Sequence, residues 1–194
     1  FEEGGGKNSG TTIKVVDESS VYGPYQSAPQ GVGAEKATNE GVFNELNDVL
    51  LDKSNAQVPV VMAYGYSGSG KTYTMMGDAE QPGIMPRAIS DLFAMSTSEK
   101  DDYKWRFSLT YVEIYNERVK DLLNPMSGCD LDVREDARKG THVAGAVEVA
   151  VSSLQEIMEL MNRGNLYRTT EATNCNEVSS RSHAVLQVNC VGVE

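Results

Sequence analysis

Apolar residues recur along the chain at helical and at strand spacings, and the two spacings alternate. Over residues 39–53 the apolar side chains fall three, four and seven positions apart, which predicts an amphipathic helix. Residues 58–64 form a short, mostly apolar run that is bounded by Pro59 and Gly65. This pattern is typical of a strand buried on both faces in a parallel sheet, and a glycine-rich loop follows it.

The alternation continues through the middle of the chain. Residues 72–76 are predicted to begin a helix, residues 77–83 to form a loop rich in acidic residues and proline, and residues 84–95 to resume the helical spacing. From residue 105 to residue 115, aromatic and β-branched side chains are too dense for a helix. These residues are therefore predicted to form a long strand.

Two short strands and a capped helix are predicted next. Residues 130–135 and 143–151 have the pattern of short strands around a charged turn. Ser153 and Glu156 form a capping-box signature, which marks the start of a helix. That helix is expected to bury four apolar side chains, those of Leu154, Ile157, Met158 and Met161.

The chain is expected to finish with a polar loop over residues 169–182 and a strand over residues 184–193. The elements after residue 38 thus alternate between helix and strand, which indicates an α/β sandwich with a central sheet. Residues 1–38 are less regular, and the Gly, Pro and Gln in their second half are typical of turns and of an insertion. We treat residues 1–194 as one domain, irregular to residue 38 and regular over residues 39–194.

Composition narrows the classes of partner. The 194 residues include 17 basic and 28 acidic side chains, a net charge of −11, which argues against nucleic acid as a partner. No apolar run approaches the roughly 18 residues of a membrane helix, and no signal peptide is visible. Three cysteines without a C-x-x-C spacing fit a reducing compartment. We expect a cytoplasmic protein, cut from a longer chain because it opens on Phe1 without an initiator methionine.

The strongest chemical signal is a match to G-x-x-x-x-G-K-[ST] between the predicted strand and helix. The matching residues are Gly65, Tyr66, Ser67, Gly68, Ser69, Gly70, Lys71 and Thr72. Backbone N–H groups of such a loop wrap the α- and β-phosphates of a nucleotide, because glycine tolerates the φ values that make them converge. Lys71 would reach the β- and γ-phosphate oxygens, and the Thr72 hydroxyl would occupy one position around Mg²⁺.

A second polar segment lies about one hundred residues further on. Residues 176–183 bring together three hydroxyls, an amide and a guanidinium ahead of the last predicted strand. A hydroxyl-rich loop is most often a solvated turn, so its chemistry alone does not define a site. Phosphoryl transfer needs a second element at the γ-phosphate, however, and this segment is the candidate for it.

Here the sequence resembles the kinesin motor domain. Residues 63–75 look like the nucleotide loop of that family, and residues 176–183 are similar to its first switch, N-x-x-S-S-R-S-H. Between them further segments follow the order of the family, namely residues 83–88, residues 111–117 together with 121–123, and residues 133–136. The resemblance covers residues 21–194 and is faint before residue 39.

The resemblance implies a P-loop NTPase-type three-layer sandwich, with a central mixed β-sheet and helices on both faces. It implies ATP or ADP and Mg²⁺ as cofactors, and a microtubule-stimulated ATPase whose hydrolysis is coupled to movement. It further implies microtubules as the partner, a cytoskeletal location in the cytoplasm, and a dimer or coiled coil formed by regions outside these residues.

The resemblance also gives each matched residue a role. Tyr73 would be the aromatic wall beside adenine. Ser180 would approach the γ-phosphate and share the Mg²⁺ with Thr72, and Ser179 would orient the attacking water through its carbonyl. Arg181 would pair with a glutamate of the second switch, and Asn176 would brace the loop. His183 is expected to be structural, and His142 is expected to have no metal role.

The chain departs from the family at Tyr66 and Ser67, where the family usually has Gln and Thr. The family's arginine-proline motif at adenine and its second switch, D-x-x-G-x-E, are not found in these residues. In the kinesin sheet the strand before the nucleotide loop is flanked by strands from later in the chain. We therefore expect residues 58–64 to have two unpaired edges, and residues 1–194 to be an excerpt of a longer motor domain.

Two other functions stay open. A kinesin-like module could bind nucleotide or microtubules without turnover, although the intact Lys71, Thr72 and Arg181 argue against such degeneration. An unrelated P-loop kinase or GTPase would leave residues 176–183 unexplained, and no guanine-specificity motif is visible.

Overall fold

A computed structural model describes residues 38–51, 59–66, 68–97, 104–137, 140–174 and 182–193. The predictions made for residues 1–37 and for residues 176–181 lie outside this part of the chain. The described helices are α1 (Asn39–Leu50), α2 (Lys71–Met76), α3 (Ile84–Ser96) and α4 (Leu154–Asn174). None of these helices is long and apolar enough to cross a bilayer.

The described strands form two sheets. They are β1 (Lys104–Tyr115), β2 (Arg118–Asp121), β3 (Asp132–Asp136), β4 (Gly140–Ala144), β5 (Val149–Val151) and β6 (His183–Val193). The strand β1 is central to the larger sheet, because β6 pairs with it along one edge while β5 and β2 share the other. These pairings are antiparallel, and β3 and β4 form a separate antiparallel hairpin.

The main core lies on one face of β1. Phe107, Leu109 and Tyr111 alternate along the strand and are buried, as the period of two in a strand requires. They pack with Ile157 of α4 and Ile89 of α3. At Gly164 of α4 an added Cβ would lie 2.8 Å from the Tyr111 ring, so the absence of a side chain lets the helix approach the strand closely.

A smaller apolar cluster joins the first three helices. Val42 and Phe43 of α1 pack with Ile84 of α3, and all three are buried. Val61 and Met75 lie against this cluster, so it also supports the residues that flank the glycine-rich loop. The helix α2, which follows the loop, thus contacts both clusters, the smaller one through Met75 and the main core through Met76.

Side-chain hydroxyls cap the first turns of α1 and α4, of which only the cap of α4 was predicted. The Thr38 hydroxyl accepts a hydrogen bond from the Gly41 N–H at 3.1 Å, which begins α1. At α4 the Ser153 hydroxyl accepts from the Glu156 N–H at 3.2 Å. The Glu156 carboxylate in turn accepts from the Ser152 N–H at 2.7 Å, one residue earlier than in the usual capping box.

The prediction of a strand buried on both faces over residues 58–64 is wrong for the residues that the structure describes. Residues 59–65 pair with no other described strand, and Val60, Met62 and Tyr64 are 86%, 78% and 94% exposed. An apolar run is buried only where neighbouring strands and helices cover it. The described part of the chain places no strand beside this run, in keeping with the expected unpaired edges.

Two further predictions need correction. Residues 143–151 do not form one strand, because a turn at Gly145, with a φ of +83°, separates β4 from β5 and the two belong to different sheets. The loop predicted from residue 169 is helical as far as Asn174. Residues 169–174 contain neither Gly nor Pro, and extending an existing helix is far easier than starting one.

The strand β2 was not predicted at all. It returns from β1 through a tight turn at Asn116 and Glu117, which both have positive φ values, 49° and 62°. Such a turn matches the twist of a hairpin, but Asn-Gly or Asp-Gly is its usual sequence signal. With Glu117 in the second position, the signal is absent from the sequence.

Candidate functional site

The glycine-rich loop adopts a conformation that depends on its glycines. Gly68 and Gly70 have φ values of +82° and +89°, in the left-handed region that favours glycine. At Gly65 an added Cβ would lie 2.5 Å from the Ser69 hydroxyl, so the Ser69 side chain would have to move to make room for it. The described part of the loop therefore has the curved backbone that its motif predicts.

Lys71 closes over this loop. Its ammonium donates hydrogen bonds to the carbonyl oxygens of Gly65 and Tyr66, both at 2.8 Å. Lys71 is also the first residue of α2, which directly follows Gly70. The cationic group is thus held against the carbonyl oxygens at the start of the loop.

The remaining residues of the motif are placed as follows. Thr72 and Tyr66 are exposed, and Tyr73 is half-buried. The Ser69 hydroxyl is buried, and no described residue forms a hydrogen bond with it. Ser67 lies outside the described residues. In the described ranges no three His, Cys, Asp or Glu side chains come together as metal ligands, whereas the predicted Mg²⁺ ligands are the hydroxyls of Thr72 and Ser180.

Asn39 holds the other end of α2, and the sequence reasoning missed it. Its amide nitrogen donates to the carbonyl oxygens of Tyr73 at 3.1 Å and Gln81 at 3.3 Å. Asn39 is only 4% exposed although it is the first residue of α1. The sequence does hold a signal for this residue, because Asn39 lies three residues before Val42 and four before Phe43. This spacing places its polar side chain on the apolar face of the helix.

The turn after α2 is tightly closed. The Asp78 carboxylate accepts from the N–H groups of Glu80 at 2.9 Å and Gln81 at 2.7 Å. At Gly77, where φ is +72°, an added Cβ would lie 2.0 Å from the Gln81 carbonyl oxygen. In this turn the Gln81 carbonyl faces Asn39.

A buried ion pair links α4, β1 and the start of β6. Arg168 donates to the Glu113 carboxylate at 3.0 Å, and the two side chains are 20% and 3% exposed. A second guanidinium nitrogen of Arg168 donates to the Ser182 hydroxyl at 2.9 Å. The resemblance had included Glu113 only as part of a motif. A carboxylate in an otherwise apolar strand, as at Glu113, indicates that a partner of opposite charge is buried beside it.

Tyr111 lies beside this pair. Its hydroxyl donates to the side-chain oxygen of Asn165 at 2.7 Å. Burial raises the pKa of Tyr111 above its ordinary value, and the nearby Arg168 cation opposes part of that rise. The phenol is therefore kept neutral inside the sheet–helix interface, where it acts as a hydrogen-bond donor.

A cavity of about 210 Å³ lies next to the ion pair. It is lined in part by Lys120, Cys129, Tyr167 and Arg168, and it includes no residue of the glycine-rich loop. Sites for drug-sized ligands usually enclose roughly 300 Å³ or more. This cavity is too small for a nucleotide, so it does not compete with the loop as a nucleotide site.

The other predicted site residues fall in two groups. Asn176, Ser179, Ser180 and Arg181 lie outside the described residues, so their distance from Lys71 stays untested. His183 is the first residue of β6, where it pairs with Ile114 as a strand residue.

Comparison with known proteins assigns the family. The model of the kinesin motor domain matches residues 16–193, which is most of the chain. A solved structure of a fast kinesin, studied for its ATPase mechanism and interactions with microtubules, superposes with a TM-score of 0.72 at 36% identity. The match covers 79% of this chain and 45% of that one. The chain belongs to the kinesin motor-domain family, and its fold is the α/β fold of P-loop NTPases that the resemblance implied.

Individual relatives agree with this assignment. The chain is 44% identical to the mouse kinesin-like protein KIF19 over 153 residues. It is 42% identical to the human kinesin-like protein KIF13B over 167 residues and 46% identical to the Caenorhabditis elegans kinesin-like protein unc-104 over 156 residues. These matches cover 78%, 84% and 78% of the chain. The chain spans only 15%, 9% and 10% of the length of these relatives.

Proposed function

We propose that this chain binds Mg-ATP in the loop from Gly65 to Thr72 and is part of a motor that couples ATP hydrolysis to movement on microtubules. The observation that carries the proposal is the arrangement of Lys71. Its ammonium is held over a loop with left-handed glycines, at the start of a helix, in a chain of the kinesin motor-domain family. This combination is the usual binding site for the phosphates of a nucleoside triphosphate.

The chain's own groups are suited to a phosphate chain. An ammonium has three donors, and Lys71 uses two of them on the Gly65 and Tyr66 carbonyls. The third is left for a phosphate oxygen, with which it forms a stronger, charge-assisted hydrogen bond. The exposed Thr72 hydroxyl supplies one oxygen ligand for Mg²⁺, and the ion when bound neutralises charge that develops on the phosphates.

The first-switch residues complete the proposal. By the resemblance, Ser180 meets the γ-phosphate and Mg²⁺, the Ser179 carbonyl orients the attacking water, and Arg181 pairs with a glutamate elsewhere in the motor. Asn176 braces that segment. Ser182, the next residue along the chain, is fixed by Arg168, so the segment leads directly into an anchored strand.

Partner and location follow from the family. The fast kinesin with the similar fold was studied for its interactions with microtubules, and we propose microtubules as the partner here. A protein with that partner works on the cytoskeleton in the cytoplasm. With a net charge of −11, residues 1–194 do not supply a broadly basic surface that would attract the acidic surface of tubulin.

The decisive experiment measures the ATPase rate of the full-length protein with and without polymerised tubulin. We expect strong stimulation by tubulin, which Lys71→Ala reduces about a hundredfold or more, because a charge at the transferred phosphoryl group is lost. Arg181→Ala should lower stimulated turnover while ATP still binds. Lys104→Ala, a change of an exposed lysine at the end of β1, is the matched control and should leave the rate unchanged.

Two outcomes would contradict the proposal. If Lys71→Ala hydrolyses ATP as fast as the unchanged protein, the loop is not the nucleotide site. If the unchanged protein binds polymerised tubulin tightly without turnover, it is the non-hydrolysing module considered above.

A further inference from the structure

We propose that Asn39 is a positioning residue for the base end of the nucleotide site, acting through the backbone of Tyr73. This inference rests on the proposed function, because it assigns Tyr73 to the adenine as the family resemblance implies. It extends that function to a residue outside the nucleotide motif, more than thirty positions earlier in the chain.

The contacts of Asn39 define which group it must present. Both of its partners, the carbonyl oxygens of Tyr73 and Gln81, are acceptors. The atom that faces them must therefore be the amide nitrogen, which has two N–H groups and can serve both. An aspartate of the same shape would place a carboxylate oxygen against two carbonyl oxygens and would repel both.

The two ends of α2 are held by different groups. At its beginning Lys71 is held by its own bonds to the Gly65 and Tyr66 carbonyls. Further along, the Tyr73 carbonyl accepts from the Gly77 N–H at 2.8 Å and from Asn39 at 3.1 Å. The helix has only six residues, none of them fully buried, so Asn39 adds to the packing of Met75 and Met76 in holding its far end.

Asn39 also connects that end to the following turn. The Gln81 carbonyl accepts from the Asp78 N–H at 3.1 Å as well as from Asn39, so one side chain ties the helix and the turn together. Loss of this link would free the backbone of Tyr73 and the turn while the contacts of Lys71 persist. The expected result is weaker binding of a ligand that has a base and unchanged binding of one that has only phosphates.

The test compares ATP with inorganic tripolyphosphate, each titrated with Mg²⁺ into the full-length protein by calorimetry. Asn39→Asp should raise the Kd for ATP about tenfold, since two hydrogen bonds are replaced by repulsion. The Kd for tripolyphosphate should stay within about twofold. Asn44→Asp is the matched control, the same change at an exposed position of α1, and should alter neither Kd.

A loss of helix stability does not produce the same result. A general loss of α1 stability would weaken the binding of both ligands, whereas loss of the link to Tyr73 weakens the binding of ATP alone. If Asn39→Asp does not fold, Asn39→Ala removes both donors without adding charge, and the same difference between the two ligands is expected.

The inference is overturned if the Asn39 variant binds ATP as the unchanged protein does, or if it weakens ATP and tripolyphosphate equally. Different results would contradict the proposed function itself: the unchanged protein would not bind ATP, or the Lys71→Ala variant would bind ATP normally. A protein that needs Lys71 for ATP but tolerates Asn39→Asp keeps the proposed function and loses only this inference.

Discussion

The sheet around β1 and the glycine-rich loop before α2 are held together by different forces. In the sheet, Leu109 is fully buried and β1 pairs with β6 from Lys104 to Ile114. Before the loop, Val60 and Met62 are largely exposed, and the loop itself is closed by the hydrogen bonds of Lys71. Apolar burial dominates the first region, and a few directed bonds dominate the second.

This difference separates stability from binding. Removing a large side chain from a packed core leaves a cavity and lowers the free energy of unfolding, whereas an exposed loop contributes little to that free energy. Substitutions in the sheet should therefore lower stability without changing the nucleotide contacts. Substitutions in the exposed part of the loop should change affinity with little effect on stability.

The largest effect on stability is expected at Leu109. Leu109→Ala should lower the free energy of unfolding by about 3 kcal/mol, because it leaves a cavity between β1 and the helices packed on it. Urea denaturation followed by circular dichroism measures the change. Below the unfolding transition the Kd for ATP should be unchanged, and a parallel loss of affinity would show that the two regions are not separate.

The next effect is expected at the buried ion pair. Glu113→Gln should lower the free energy of unfolding by about 2 kcal/mol, because it leaves the Arg168 cation in the sheet–helix interface without its counter-charge. Asp132→Asn is the matched control, because the Asp132–Arg134 pair has the same 3.0 Å separation but is 72% and 66% exposed. That change should cost less than about 0.5 kcal/mol. Equal losses in the two variants would mean that burial does not set the strength of these pairs.

A smaller, pH-dependent effect is expected at Tyr111. Tyr111→Phe should cost about 1 kcal/mol at neutral pH through loss of the bond to Asn165. The pKa of Tyr111 is higher in the folded protein than in the unfolded chain, where it is about 10. The stabilisation that Tyr111 gives the folded state is therefore complete below pH about 10 and is lost as the pH rises through the folded pKa. The stability difference between the two proteins, measured by urea denaturation, should shrink above pH 10. A difference that grows there would contradict the direction of the shift.

The smallest effect is expected before the glycine-rich loop. Val60→Ser should change the free energy of unfolding by less than about 0.5 kcal/mol, because the Val60 side chain is 86% exposed. Val42→Ser, in the buried cluster that supports the loop, is the contrasting variant and should cost far more. A large loss at Val60 would show that another part of the protein covers this segment.

Local sequence patterns were enough to predict the long helices and the long strand β1. Helical spacing located α1 and α3, the density of aromatic and β-branched residues located β1, and Ser153 with Glu156 marked the start of α4. Each of these signals arises within a few neighbouring residues, and the structure confirms them. The glycine-rich loop was also predictable, because left-handed φ values at Gly68 and Gly70 require glycine in the sequence itself.

Features that depend on distant residues could not be predicted in this way. The apolar run before the loop looked like a buried strand, yet its exposure is decided by which strands lie beside it. Glu113 and Arg168 are 55 residues apart, and Asn39 and Tyr73 are 34 apart. No local spacing reveals such pairs, although a polar residue on an apolar face indicates that a partner is needed.

The period of the side chains and the local freedom of the backbone were enough to predict the main helices, β1 and the glycines of the Gly65–Thr72 loop. The tertiary structure decided that residues 143–151 divide between two sheets, that Val60 and Met62 face outward, and that Asn39 holds the far end of α2. The physical reason is that burial and long-range hydrogen bonding are properties of the surroundings, which only the folded chain assembles.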